Sequence, residues 1–184
     1  MSNRCLDEYK EIKGFAPERN AIESVKRWVE KANENTGLDL NSQIDKFFSF
    51  YVAYNIIYSL LSKNKKWDRC SAVNVVAHYI KNETLNTFSE NNSTIAEMMQ
   101  PIKNGKFYIY TKEDTYKDTE LISNIEKNIN KEESILNLLY GMRCNMFHGQ
   151  KELSEDQLLL LTPANKILDD IIQSLISSIT INWD

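Results

Sequence analysis

The hydrophobic residues of this 184-residue chain recur mostly at spacings of three and four, which is the period of an amphipathic helix. The pattern predicts a first helix that begins near Pro17 and ends before Gly37, because proline suits a first helical turn and glycine suits a helix end. It predicts further helices over residues 68–81 and 131–148. Helices therefore dominate the predicted structure.

The segment 47–62, FFSFYVAYNIIYSLLS, carries no charged residue, and its apolar positions cover nearly every side of a helix. Such a helix either spans a membrane or lies at the centre of a helical bundle. The segment is shorter than the roughly 20 residues that a bilayer needs, and it contains Asn55 and three tyrosines. We therefore expect the central helix of a bundle, with no membrane contact.

The C-terminal part of the chain predicts one more long helix. Ser154 and Gln157 have the spacing of a capping box, in which two side chains satisfy the free amides of a helix start. Pro163 can then either begin a second helix or kink a continuous one. The predicted apolar face consists of Ile167, Leu168, Ile171, Ile172, Leu175, Ile176 and Ile179.

Residues 82–130 show a looser pattern. Short helices are plausible over residues 94–99 and 121–129. Residues 106–110 alternate like a strand without an evident partner in the chain, so this stretch either pairs with another copy of itself or is an extended loop. We interpret this region as an insertion. The predicted fold class is therefore all-α, a bundle of four to five main helices in a single domain over residues 1–184, with a less regular insertion.

The composition limits the possible functions. The formal charge of −4, from 22 Lys and Arg against 26 Asp and Glu, argues against a general nucleic-acid coat but allows a local basic site. Cys5, Cys70 and Cys144 are odd in number and lack C-x-x-C spacing, which fits a reducing compartment and offers no zinc ligand set. The N-terminus lacks an apolar signal core, and Asn, Lys and Ile are abundant. We expect a cytoplasmic, bacterial protein without a metal or cofactor.

The predicted helix 131–148 carries two neighbouring apolar stripes. One should face the core of the domain, and the other, which includes an arginine, could face a second copy of the chain. We therefore predict a homodimer. The first stripe consists of Ile135, Leu138, Leu139, Met142 and Met146, and the second of Leu136, Tyr140, Arg143 and Phe147.

The end of this helix holds the candidate chemistry. Arg143 and His148 provide a cation and a titratable imidazole, the minimum equipment for breaking a phosphodiester without a metal. They lie about 140° apart on a regular helix, but Gly149 suits a helix end at which His148 leaves that geometry. Asn145 adds a neutral donor and acceptor. Alternatively, the arginine and histidine only complement the helix dipole, cap carbonyls and lie at an interface. We expect His78, in the predicted helix 68–81, to be a structural or surface histidine.

The run from Leu138 to Gly149, LLYGMRCNMFHG, resembles the HEPN superfamily, whose mark is an arginine, four to six residues and a histidine, often within Phe-His-Gly. It is similar in particular to small stand-alone bacterial or plasmid-borne HEPN proteins. The close match covers residues 140–149. Two positions depart from the family pattern: Cys144 stands where a polar residue often follows the arginine, and Gln150 stands where some relatives carry a modified tyrosine.

The resemblance implies a helical bundle that dimerises so that two motifs face each other across a cleft. It also implies metal-independent endoribonuclease activity in a toxin–antitoxin or anti-phage system, with Arg143 and His148 as the catalytic pair and Asn145 as a possible supporting residue. The products would be a 2′,3′-cyclic phosphate and a 5′-hydroxyl. A neighbouring-gene protein such as an antitoxin is a possible partner.

Two rival functions fit the same bundle. In the first, the chain is a non-catalytic HEPN module that binds a nucleotide or a protein, and the acidic net charge is then easier to understand. In the second, it is an antitoxin or immunity subunit of a two-gene pair. A binding module should tolerate His148→Asn with its partner affinity intact, whereas a nuclease should lose turnover.

Overall fold

The computed structural model describes residues 10–63, 68–110, 114–147, 154–181 and 183. Within these ranges the chain is all-α, as the sequence predicts. A π-helix, Cys70–Val75, runs directly into α3, and a 3-10 turn, Glu155–Gln157, precedes α8. The α-helices are α1 (Ala16–Glu34), α2 (Leu40–Leu61), α3 (Val76–Asn82), α4 (Thr87–Glu90), α5 (Asn92–Lys103), α6 (Thr115–Glu126), α7 (Lys131–Phe147) and α8 (Leu158–Thr180).

Helix α2 is the centre of the bundle, which confirms the prediction from its uncharged sequence. It packs against α1, α8 and the π-helix. The helix begins at Leu40, earlier than predicted, because Asp39 caps it by accepting a hydrogen bond from the Ser42 amide at 3.1 Å. Among the described residues, none of the helices combines the length and apolar character that crossing a membrane requires. The large buried side chains of α2 are Phe47, Phe50, Tyr51, Tyr54, Ile57, Tyr58 and Leu61.

The first and last helices also confirm the predictions. Helix α1 has Pro17 in its first turn and ends before Gly37. Helix α8 continues through Pro163 as one element, and every residue of its predicted apolar face is buried. The predicted capping box is absent, because Ser154 makes no side-chain cap hydrogen bond and precedes a 3-10 turn.

Residues 82–130 are more helical than the predicted short helices over residues 94–99 and 121–129. Helices α4, α5 and α6 occupy it, and α5 packs along α8 while α6 packs along α7. Some of the Asn and Thr residues that loosened the sequence pattern, including Thr84, Asn86 and Asn91, lie between helices α3, α4 and α5. The region is part of the bundle, and its buried core residues include Ile95, Met98, Met99, Ile102, Ile122 and Ile125.

Residues 106–110 form no strand within the chain, which agrees with the second of the two alternatives for this stretch, an extended loop. The backbone of this segment pairs with a side chain instead of a second strand. The buried Asp118 of α6 accepts hydrogen bonds from the amides of Ile109 at 2.8 Å and Tyr110 at 3.3 Å. A carboxylate thus satisfies backbone donors that a neighbouring strand would otherwise satisfy.

The chain itself buries most of the first stripe of α7 and one residue of the second, namely Ile135, Leu138, Leu139 and Met142 of the first and Leu136 of the second. Helix α6 packs on one side of α7, and the π-helix and α3 pack on another. Leu136 is consequently only 1% exposed, so the prediction that it belongs to a dimer interface is wrong. The side chain of Phe147 lies outside the described residues, and Tyr140 is half-buried.

The cysteines differ from the expectation of a reduced set. Cys144 is a free thiol on α7. Cys70, at the start of the π-helix, is disulfide-bonded. Cys5 lies outside the described residues. A disulfide at this position does not fit the prediction that was based on the odd number of cysteines.

Candidate functional site

The candidate site lies where the last turns of α7 meet the middle of α2 and the start of the π-helix. Arg143 is half-buried there, and its guanidinium carbon lies 5.8 Å from the centre of the Tyr51 ring. Its Nη1 donates to the Cys144 sulfur at 3.9 Å. A guanidinium over an aromatic face gains electrostatic attraction, so the α2 tyrosine helps to fix the position of the cation.

Two tyrosine hydroxyls donate hydrogen bonds to the carboxylate of Asp68, which lies near this arginine. Tyr58 donates to Asp68 Oδ1 at 2.6 Å, and Tyr140 donates to Oδ2 at 3.2 Å. The Tyr58 hydroxyl in turn accepts from Asn55 Nδ2 at 2.6 Å. The network joins α2, α7 and the segment before the π-helix, and it fixes the orientation of a carboxylate that is itself exposed.

The electrostatics of the network keep the arginine charged and the tyrosines protonated. Burial alone would lower the pKa of Arg143, but the contact with Cys144 and the negative charge of Asp68 outweigh it, and the pKa is raised. Burial, followed by the neighbouring Cys144 and Asp68, raises the pKa of Tyr140 to about 12. Burial is also the main cause that raises the pKa of Tyr51 and of Tyr58.

The predicted catalytic pair cannot be measured as a pair. The described part of helix α7 runs to Phe147, and His148 lies outside the described residues together with Gly149 and Gln150. The predicted helix end at Gly149 therefore stays a prediction.

Asn145 does not join Arg143. The two residues are two positions apart, so their side chains leave the helix on nearly opposite sides. Asn145 Nδ2 donates to the Ile109 carbonyl at 2.8 Å and thereby holds the segment 106–110 against α7. Gly141 lies beside this segment, where a Cβ would come within 2.1 Å of Ile109 Cγ2. The predicted supporting residue thus has a structural contact that its sequence position did not indicate.

A cleft opens on the Asn145 side of α7. It encloses about 450 Å³, including the part open to solvent, between the segment 107–109, α7 and the start of α8. Its walls are mostly apolar, from Met142, Met146, Leu160 and Leu161. Asn145 lines this cleft, whereas Arg143 does not.

A second arginine network lies nearer the N-terminus of α7, at Asn137, six residues before Arg143. Arg69 donates to Asn137 Oδ1 from Nε at 3.1 Å and from Nη2 at 2.7 Å, and from Nη2 to the Tyr110 hydroxyl at 2.9 Å. Asn137 is held in place because its Nδ2 donates to the Glu133 carbonyl at 2.9 Å. Arg69 is exposed, and its guanidinium is fixed by three hydrogen bonds to neutral oxygens.

The tyrosines of α2 indicate the Asp68 network in the sequence, but they are hidden in the uncharged segment 47–62, whose other residues are mostly apolar. Tyr51, Tyr54 and Tyr58 follow one another at spacings of three and four, which places them on one face of α2. Their rings stack edge to face, with centroids 5.7 Å and 5.4 Å apart. Three hydroxyls on the buried side of a central helix need polar partners, and Asp68 supplies one of them.

The remaining predicted features have simpler surroundings. His78, expected to be structural, is half-buried and shares a hydrogen bond of 3.0 Å with Asn82. Within the part of the chain that the structure describes, no group of three or more His, Cys, Asp and Glu residues could hold a metal ion.

Comparisons of the chain with protein-family models, with curated proteins and with solved structures give no match. The HEPN resemblance therefore rests on residues 140–149 of this sequence, and the function that it implies is a proposal.

Proposed function

We propose that the chain is a metal-independent endoribonuclease of the HEPN type, in which Arg143 and His148 act at the cleft of a homodimer. The observation that carries this proposal is the placement of Arg143, a half-buried cation fixed against Tyr51 within the last turns of α7. A cation whose position is fixed before substrate binds can stabilise charge that develops on a phosphate.

In the proposed reaction the RNA 2′-oxygen attacks the adjacent phosphorus and the bond to the 5′-oxygen breaks. His148, or the same residue of the two protomers together, removes the 2′-hydroxyl proton and delivers a proton to the leaving 5′-oxygen. Arg143 binds the non-bridging oxygens. The products are a 2′,3′-cyclic phosphate and a 5′-hydroxyl, and DNA, which lacks the 2′-hydroxyl, is not cut. We propose a toxin–antitoxin or anti-phage context for this activity, with a neighbouring-gene protein as a possible partner.

The test is cleavage of a labelled single-stranded RNA in EDTA by the wild type and by His148→Ala. The chain offers a matched control in His78→Ala, because His78 is the other histidine and contacts Asn82 on α3. We expect cleavage by the wild type and the control, and none by His148→Ala of equal circular dichroism. Cleavage that stops on adding the chelator would count against the mechanism.

Dimerisation is a separate part of the proposal. Of its predicted contact residues, Tyr140 is half-buried and donates to Asp68, which leaves part of its ring accessible to a second copy. Light scattering at micromolar concentration should give twice the mass of the chain. A monomer under these conditions would contradict the composite cleft.

The second candidate function is a non-catalytic module that binds a nucleotide or a protein through the same arginine. Asp68 favours this candidate, because its charge lies close enough to Arg143 to raise the pKa of the arginine and so compensates part of its charge. In this case His148→Asn keeps the affinity for the partner, and the wild type cleaves no RNA.

A further inference from the structure

Arg69 has features of a binding residue. An exposed arginine normally samples many rotamers, but two elements of the fold hold this guanidinium, through Asn137 of α7 and the hydroxyl of Tyr110. Both acceptors are neutral, so the contacts fix the cation without neutralising it. These contacts use the Nε–H and both Nη2–H groups, which leaves the two N–H groups of Nη1 to bind a phosphate oxygen.

The surface beyond Tyr110 continues with a cation between two aromatic rings. The Lys117 ammonium lies 5.4 Å from the centre of the Tyr110 ring and 5.6 Å from that of Tyr116. Tyr116 is 61% exposed, which leaves an aromatic face open to solvent. Lys117 also pairs with Asp114 at 3.0 Å, so Arg69 is the stronger of the two cations towards an anion.

This surface adjoins the candidate site. Asp68, the residue directly before Arg69, accepts from Tyr140, which lies one helical turn before Arg143. The order along the surface is therefore Tyr116, Lys117, Tyr110, Arg69 and then the Asp68 network with Arg143. Aromatic rings interleaved with cations beside a phosphate-directed arginine are typical of a path for a nucleic-acid strand.

We propose that Arg69, Tyr110, Tyr116 and Lys117 form a docking surface for single-stranded RNA that leads to Arg143. This inference rests on the proposed nuclease function and names the conformation of its substrate. A single strand is favoured over a duplex because only unpaired bases present their faces to an exposed ring such as Tyr116. The chain as a whole is acidic, so this contact is local.

The test uses a strand that cannot be cleaved, so that binding and cleavage are measured apart. The probe is a fluorescein-labelled single-stranded 2′-O-methyl oligonucleotide of about 12 nucleotides, within the span that such surfaces cover. Fluorescence anisotropy over a salt series gives Kd and its salt dependence for the wild type, Arg69→Gln and Tyr116→Ala. Arg27→Gln on α1 is the matched control, because Arg27 is also an exposed arginine and its Nη2 donates to Ser24 of its own helix.

We expect Arg69→Gln to weaken binding about tenfold, as the loss of a charged hydrogen bond does, and to lower the salt slope by about 0.7. Tyr116→Ala should weaken binding about fivefold through lost stacking, and its exposed position keeps this arm valid if Arg69→Gln does not fold. Arg27→Gln should bind as the wild type does.

Several results would overturn the docking surface: no binding by the wild type, unchanged Kd and slope in both variants, or a duplex bound as tightly as the strand. The two proposals fail differently. RNA cleavage that does not depend on Arg69 overturns the surface alone, whereas strand binding that depends on Arg69 without any RNA cleavage supports the surface and overturns the nuclease.

Discussion

Tyr58→Phe removes one oxygen atom at the junction of α2, α7 and the segment before the π-helix. In the wild type this hydroxyl donates to Asp68 and accepts from Asn55, each at 2.6 Å. The ring itself is only 2% exposed and stays packed in the variant. The substitution therefore isolates the two hydrogen bonds from the packing of the side chain.

The magnitude follows from the two partners. A hydrogen bond to a charged group contributes about 1.5–3 kcal/mol and one between neutral groups about 0.5–1.5 kcal/mol. Asp68 is exposed and Asn55 is half-buried, so water replaces part of what each loses. We therefore expect the free energy of unfolding to fall by about 2 kcal/mol, near the lower end of the combined range. For a chain of this size the Tm should fall by about 4–8 °C.

The assay is urea unfolding followed by circular dichroism, with Tyr116→Phe as the matched control. Tyr116 is 61% exposed, so losing its hydroxyl should leave stability unchanged. The double variant with Asp68→Ala then measures the interaction directly, and we expect a coupling of about 1 kcal/mol. Effects of Tyr58→Phe and Asp68→Ala that add within about 0.3 kcal/mol would refute the network.

Three further predictions concern the same fold. Burial raises the pKa values of the three α2 tyrosines above the value of tyrosine in the unfolded chain. Their protonated hydroxyls therefore stabilise the fold fully below about pH 10, where unfolded tyrosine begins to ionise, and this stabilisation is lost as the pH rises further. Urea unfolding at a series of alkaline pH values should show the free energy of unfolding falling by about 4 kcal/mol per pH unit. Gly141→Ala places a Cβ 2.1 Å from Ile109 Cγ2. This overpacking should cost about 1–3 kcal/mol, which outweighs the gain in helix propensity, so we expect the Tm to fall. Displacement of the segment 106–110 should also let trypsin cleave faster after Lys106. Leu168→Ala, at a fully buried position of α8, should cost about 2–5 kcal/mol in urea unfolding, whereas Leu159→Ala, at a 47% exposed position, should cost less than about 1 kcal/mol.

The sequence predicts best those helices whose hydrophobic period or composition fits only one kind of structure. Helix α8 repeats its apolar residues at spacings of three and four, and α2 carries no charge from Phe47 to its end. The first turns of α2 were missed because they are polar, and a side-chain cap at Asp39 starts the helix there. Helix propensity and hydrophobic period predict which residues are buried, but they do not predict a helix start that depends on one capping hydrogen bond.

The errors in the middle of the chain have a common cause, which is contact between distant residues. Ile109 alternates with its neighbours as in a strand, but the carboxylate of Asp118 satisfies its amide. Leu136 lies on the stripe that was predicted to face a second copy, yet other parts of the same chain bury it. Neither partner can be identified from the local pattern.

The candidate site was predictable only in part. The motif pointed to Arg143, and the structure places it as a half-buried cation. The carboxylate of Asp68 beside it was not predicted, because it precedes a helix some 70 residues earlier in the chain. The family resemblance suggests Asn145 as a supporting residue, whereas helix geometry directs its side chain away from Arg143, to the Ile109 carbonyl.

The most direct test of the central claim is the identity of the RNA ends that the wild-type protein produces in EDTA. The account predicts a 2′,3′-cyclic phosphate with a 5′-hydroxyl, and no cleavage at a position where a single 2′-deoxy nucleotide replaces the one attacked. Ends bearing a 3′-hydroxyl and a 5′-phosphate, or cleavage that continues at the 2′-deoxy position, would contradict attack by the 2′-oxygen and with it the roles of Arg143 and His148.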